Sequence, residues 1–289
     1  MSVAIVLDAG AELGEGPVWL AREQRLAWLD ILAGRLHWLE PESGADDVLQ
    51  LAGPVCAAAP RQGGGMVLAL ERELALLAAG ADCPQTVAAV LDPASGQRFN
   101  DGACDPAGRF WAGTLRYDGA LGQASLWRLG ADGAVSQALT GLSLSNGLAW
   151  ASDGSTMWHV DTPTRGIDRY DADVDTGALR GGRRAVEIAP GAGDPDGLAL
   201  DADGCLWVAL WGGGAVHRYT PDGRLDRRIE LPVTQPTSCA FGGRDRSILF
   251  ITSARYGLDH ERLRAEPHAG AVFAIPAGVC GLPEPEWAG

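Results

Sequence analysis

The sequence predicts an all-β fold, a six-bladed β-propeller of four-stranded antiparallel blades, and three observations lead to it. A turn-and-strand unit recurs roughly every 40 to 50 residues, the period of a propeller blade. Short alternating strands follow each copy and close in Asp-Gly or Ser-Gly turns, the signature of hairpins. The 40 glycines and 17 prolines are spread along all 289 residues instead of gathering in a linker. The chain is therefore read as one propeller domain over residues 1–289.

The repeat is clearest where Asp105-Pro-Ala-Gly-Arg-Phe-Trp-Ala-Gly is echoed by Asp201-Ala-Asp-Gly-Cys-Leu-Trp-Val-Ala. Looser copies are Ser152-Asp-Gly-Ser-Thr-Met-Trp-His-Val, Arg25-Leu-Ala-Trp-Leu-Asp, Gly65-Met-Val-Leu-Ala-Leu and Ser247-Ile-Leu-Phe-Ile-Thr. Their anchors are Trp28, Val67, Trp111, Trp158, Trp207 and Phe250. Large aromatics at such positions fill the space between sheets. A second strand follows each anchor, as in Ala124-Ser-Leu-Trp-Arg-Leu and in Ala215-Val-His-Arg-Tyr, which Pro221-Asp-Gly closes. A helical turn is expected only near Asp259 to Ala265. An open edge strand invites aggregation, so the spare strand Val3-Ala-Ile-Val-Leu is expected to pair with the last blade near Ala271 to Ile275.

Net charge is −14 with no block of Lys or Arg. Such a surface repels phosphate backbones and anionic lipids, so neither nucleic acid nor membrane is an expected partner. No apolar run approaches the roughly 18 residues of a membrane span. The start, MSVAIVLDAG, lacks a basic segment and a long apolar run, so no secretory signal is read and a cytoplasmic protein is expected. A monomer or weak dimer is expected. The six cysteines form no CxxC pair and have no nearby His, which points to reduced, structural thiols.

Ahead of each anchor lies a polar phase of the repeat. Glu15-Gly-Pro-Val-Trp, Asn100-Asp101-Gly-Ala-Cys, Asn146-Gly-Leu-Ala-Trp and Asp196-Gly-Leu-Ala-Leu occupy it in four blades, with Pro54-Val-Cys-Ala and Thr237-Ser-Cys-Ala in the other two. Equivalent positions on successive blades face one another around the central channel. Four oxygen-bearing side chains are thus aimed at one end of the axis. Glu15, Asp196 and one or two amide oxygens form a hard set suited to Ca²⁺, Mg²⁺ or Mn²⁺, and less to Zn²⁺ or Fe²⁺. Asn-Gly and Asp-Gly also form plain turns. That accounts for Asp132-Gly, Asp153-Gly, Asp203-Gly and Asp222-Gly, but the polar group opens apolar strands instead.

At these residues the chain resembles the family of gluconolactonases, senescence marker protein (regucalcin) and luciferin-regenerating enzyme. The stretches that carry the resemblance include Leu13-Gly-Glu-Gly-Pro-Val-Trp, Arg98-Phe-Asn-Asp-Gly, Ala112-Gly-Thr, Leu144-Ser-Asn-Gly-Leu, Asp194-Pro-Asp-Gly-Leu and Thr237-Ser-Cys-Ala-Phe-Gly-Gly. They run in order over almost the whole chain. The resemblance implies one divalent metal on Glu15, Asn146 and Asp196, with Arg98 and Asn100 meeting substrate oxygens and Asn100 or Asp101 beside the metal's water. It implies hydrolysis of a sugar (aldono)lactone in carbohydrate catabolism. After Ala112-Gly-Thr the chain departs from the animal members, whose longer acidic insertion supplies a substrate-contacting Glu. Arg116 or Tyr117 takes that space, or the pocket is more open.

Lactone opening needs a polarised carbonyl, a nucleophilic water and a proton for the leaving alkoxide. A cation on the axis serves the first two. Asp196 is the preferred general base, because it can touch both metal and water, and Asp101 is the second candidate. The fixed charge of Arg98 suits sugar oxygens and a developing oxyanion. Ser145 lacks a nucleophile elbow and ordered His and Asp partners, so nucleophilic catalysis is not expected. Two other readings keep the same residues: a promiscuous metal-dependent esterase or organophosphatase, and a non-catalytic calcium-binding propeller.

Overall fold

Six four-stranded sheets, taken in chain order, build the computed structural model, which describes residues 3–289. Blade 1 comprises Gly14–Leu20, Arg25–Asp30, Arg35–Glu40 and Ala45–Gln50. Blades 2 to 5 repeat the meander, their innermost strands being Val55–Pro60, Gln97–Cys104, Ser145–Trp150 and Asp194–Leu200. Blade 6 takes three strands from the end of the chain, Pro236–Gly242, Ile248–Ser253 and Val272–Pro276. Its fourth is Ala4–Leu7, which pairs antiparallel with Val272–Pro276 in the register Ala4↔Ala274. The strand expected to close the ring does so, covering the edge of Val272–Pro276 and completing blade 6 as its outermost strand. The helical turn also forms, at His260–Ala265, with the Asp259 side chain capping Arg262 N.

The repeat has a physical cause. In blade 3 the carboxylate of Asp105 accepts from Ala107 N and Arg109 N of its hairpin turn, and from the Trp111 indole at 2.9 Å. Asp201 does the same in blade 5, accepting from Asp203 N, Cys205 N and the Trp207 indole. Both carboxylates are buried, so each must have its acceptors filled. One Asp therefore links the turn to the aromatic six residues on.

The aromatics in turn join blade to blade. Trp111 packs on Trp150 of blade 4, Trp207 on Phe241 of blade 6, and Phe250 on Trp19 of blade 1, with ring centroids 5.5, 5.7 and 5.5 Å apart. Such pairs contribute about 0.5–1.5 kcal/mol each beyond the area they bury. One expected anchor is out of phase. Trp111, Trp158, Trp207 and Phe250 stand opposite Ala103, Ala149, Ala199 and Ala240 of the inner strands. In blade 1 the residue opposite Val18 is Ala27, not Trp28. A one-residue step reverses the face of a strand, so Trp28 packs backward, with Phe250 and Val272 of blade 6.

Inner strands begin at one mouth of the central channel and end at the other. The second mouth is crossed by the last residues of the chain. Gly281 N donates to Arg246 O, Trp287 N to Pro60 O and Ala288 N to Gly108 O. This strap links blade 6 to blades 2 and 3 and floors a channel of about 350 Å³. Glu284 lines the channel; partial loss of solvent there pushes its carboxyl up to about 7, although the residue keeps an exposed face.

Candidate functional site

Pairing between the first and second strands slips by one residue in every blade. The slips fall between Glu15 and Val18, Val55 and Ala57, Phe99 and Gly102, Ser145 and Leu148, Pro195 and Leu198, and Pro236 and Cys239. A bulge bends its strand and re-aims a side chain. Asn100, Asp101, Asn146 and Asp196 lie within these bulges, and Glu15 stands at the edge of its own. The following glycines are needed because the inner strands crowd together at the axis. A Cβ on Gly147 would lie 2.6 Å from Leu198 N, and one on Gly197 would lie 2.0 Å from Ser238 Oγ.

Glu15, Arg98, Asn100, Asn146 and Asp196 are all buried, and Asp101 is half-buried. A hydrogen-bonded row joins three blades. Arg98 Nη1 donates to Asn100 Oδ1 at 2.9 Å, and Asn100 Nδ2 donates to Asn146 Oδ1 at 3.1 Å. Asn146 Nδ2 donates to Thr162 Oγ1 at 3.0 Å, and Thr162 Oγ1 donates to Pro195 O at 2.8 Å. Asn100 Nδ2 also reaches Ser145 O, so its amide hydrogens are held within the protein and its oxygen is the end left for a ligand.

The carboxylates press on one another. Burial pushes Glu15 up to about 8, and the charge of Asp101 adds to the rise, while Gly16 N–H and Arg98 pull it back. Burial raises Asp101 to about 6 against the pull of Gly102 N–H. Asp196 is held well above the usual carboxylate range, first by burial and then by Glu15 and Asp101, while the Asn146 side chain and Arg98 pull it back. Oδ1 of Asp196 is buried and has no hydrogen-bond partner. An unpaired acceptor among mutually repelling carboxylates, with one nearby guanidinium, is the electrostatic environment a divalent cation relieves. The residues present therefore fit such an ion. Among the described residues no three His, Cys, Asp or Glu side chains form a metal cluster by themselves. A set at this mouth must complete itself with amide oxygen, which Asn146 carries.

Other expected residues are also located. Arg116 is tied to Asp118 through two nitrogens, at 2.8 and 2.6 Å, and to Ser95 O. Tyr117 is exposed, and its hydroxyl donates to Glu71 of blade 2 at 2.9 Å. Cys56 lies in the bulge of blade 2, where burial pushes its thiol up to about 11 against the pull of Arg98. All six cysteines are free. Ser145 does have a His partner, His159 Nε2 at 2.8 Å. Both are buried, and Ser145 Oγ faces Gly113 of blade 3 instead of the mouth, so the pair supports the inner strand from behind. Thr162 was not singled out from the sequence. Its only signal there is the Asp161-Thr-Pro-Thr turn that follows the second strand of blade 4.

Residues 13–255 match the family described as SMP-30/Gluconolactonase/LRE-like region. A 6-deoxy-6-sulfogluconolactonase of Pseudomonas putida is 42% identical over 279 residues, 96% of this chain and 95% of that protein. A pentonolactonase of Haloferax volcanii is 36% identical, covering 98% of this chain and 97% of its own. Among solved structures, a calcium-binding protein, regucalcin, of Agrobacterium tumefaciens superposes with a TM-score of 0.94 at 31% identity, covering 99% of this chain and 97% of that one.

Proposed function

We propose that this chain, which belongs to the SMP-30/gluconolactonase/LRE-like family and is a lactonase, opens an aldonolactone with the help of one divalent cation held by Glu15, Asn146 and Asp196. The buried, unpartnered Oδ1 of Asp196, beside two further carboxylates, carries the reading. When bound, the cation supplies Lewis acidity toward the ring carbonyl and acidifies water. An all-oxygen set favours Ca²⁺, Mg²⁺ or Mn²⁺ over Zn²⁺ or Fe²⁺.

The side chains then divide the work. Water adds to the carbonyl carbon, the ring C–O bond breaks, and the proton released by water passes to the leaving alkoxide. Asp196 takes and returns that proton. Asp101 lines the channel beneath the mouth, so it is the less well placed carboxylate and acts by its charge. Arg98 lies beside Asn100 with a permanent positive charge and offsets the negative charge that develops on the carbonyl oxygen. The product acid would serve carbohydrate catabolism.

The test is proton release measured with pentonolactones, hexonolactones and a 6-sulfo hexonolactone, before and after chelation and on return of each metal. Turnover that is lost with chelator and restored by metal supports the reading. Undiminished turnover in excess chelator would remove the cation from the reaction.

A further inference from the structure

We infer that Thr162 is a positioning residue that fixes which end of the Asn146 amide is presented to the cation. The inference rests on the proposed role of Asn146 as a ligand. A side-chain amide has two unlike ends, and only its oxygen can bind a metal ion. The row from Arg98 to Pro195 has one possible direction. At its start is a guanidinium, which donates only; at its end is a peptide carbonyl, which accepts only.

Between these termini every group is oriented in turn. Arg98 Nη1 donates to Asn100 Oδ1, which leaves the Asn100 nitrogen facing Asn146 Oδ1. On the other side Thr162 has one proton, and it is spent on Pro195 O at 2.8 Å. Toward Asn146 the hydroxyl can therefore only accept, which obliges Asn146 to turn its nitrogen to Thr162 at 3.0 Å. The oxygen of Asn146, which keeps a second lone pair, is the end left for a cation. Pro195 directly precedes Asp196, so the same hydroxyl also ties the blade 4 ligand to the blade 5 ligand. Thr162 is itself held by the backbone. Its N–H donates to Leu144 O, its carbonyl accepts from Arg165 N, and Pro163 follows it.

Partners that orient ligands in this way typically change metal affinity 10- to 100-fold. The experiment is calorimetric titration of the full chain with Mn²⁺ and with Ca²⁺, alongside the melting temperature without metal. Thr162→Val keeps the shape and removes the hydroxyl. It should bind both ions about ten-fold or more weakly, and Thr162→Ser should restore affinity to within about three-fold of wild type. A second readout separates orientation from packing. In an Asn146→Asp background both ends of the ligand are oxygen, so adding Thr162→Val should change affinity by less than about three-fold. Wild-type affinity in Thr162→Val, failure of Ser to rescue, or an equal loss in the Asn and Asp backgrounds would each overturn the assignment. Asn146→Ala reports on the underlying reading. If it binds metal as wild type does, that reading falls and the role of Thr162 with it. If it loses metal while Thr162→Val does not, only Thr162 is wrongly assigned.

Discussion

Replacing His159 by Gln should make the protein less sensitive to acid. His159 is 1% exposed, and burial lowers its pKa from 6.5 to about 4, against the opposing charge of Asp168. As pH falls through 6.5, the unfolded chain binds a proton that the folded imidazole refuses until about 4, so stability present above 6.5 is lost over that window. At about 1.4 kcal/mol per pH unit the full loss is about 3.5 kcal/mol, with about 2.5 kcal/mol of it complete by roughly pH 4.5. Gln keeps a partner for Ser145 Oγ without ionising. The assay is urea unfolding of both proteins in chelator at neutral pH and near pH 4.5. Wild type should lose about 2–3 kcal/mol more than His159→Gln between the two conditions. Parallel losses would mean that the folded state accommodates a charged imidazole, and the burial argument would fail.

Three further outcomes are expected. Deleting residues 1–8 strips the partner from Val272–Pro276 and should produce aggregation visible by light scattering; a monodisperse product would show that closure needs no such strand. Trp111→Ala empties a fully buried site and leaves Asp105 without its indole donor, so unfolding should require about 3–5 kcal/mol less; a cost under about 1 kcal/mol would remove the aromatic contact from the list of blade-to-blade ties. Asp196→Asn relieves repulsion with Glu15 and Asp101, so the metal-free protein should melt higher, by roughly 1 kcal/mol in stability, while added metal no longer raises its melting temperature as it does for wild type. Calorimetric scans with and without metal check both halves.

Blade number and ring closure were legible because each depends on local chemistry that repeats: an Asp that caps a turn, an aromatic at fixed spacing, a spare apolar strand. The polar phase was legible for the same reason, since Glu15, Asn100, Asn146 and Asp196 recur at one position. What aims them was not. A bulge is one residue of excess in one strand relative to its partner, and it becomes countable only when pairing is known, as with Ser145↔Asp161 and Leu148↔His159. The same one-residue ambiguity misplaced Trp28, whose neighbours Ala27 and Leu29 are equally apolar. Thr162 and His159 reach the inner strands from other strands and loops, so spacing along the chain carries no sign of them.

The residues that seal the ring are nearly as far apart in sequence as the chain allows. Ala4 meets Ala274, so blade 6 is complete only when two strands far apart along the chain have met. Closing a loop of that length is slow, although its entropic cost grows only logarithmically with length. Until then the blades form an incomplete arc with two raw faces, one at each end. Refolding yield should accordingly depend on how long that arc survives in a crowded solution, and dilution should favour the circle over chains that complete one another.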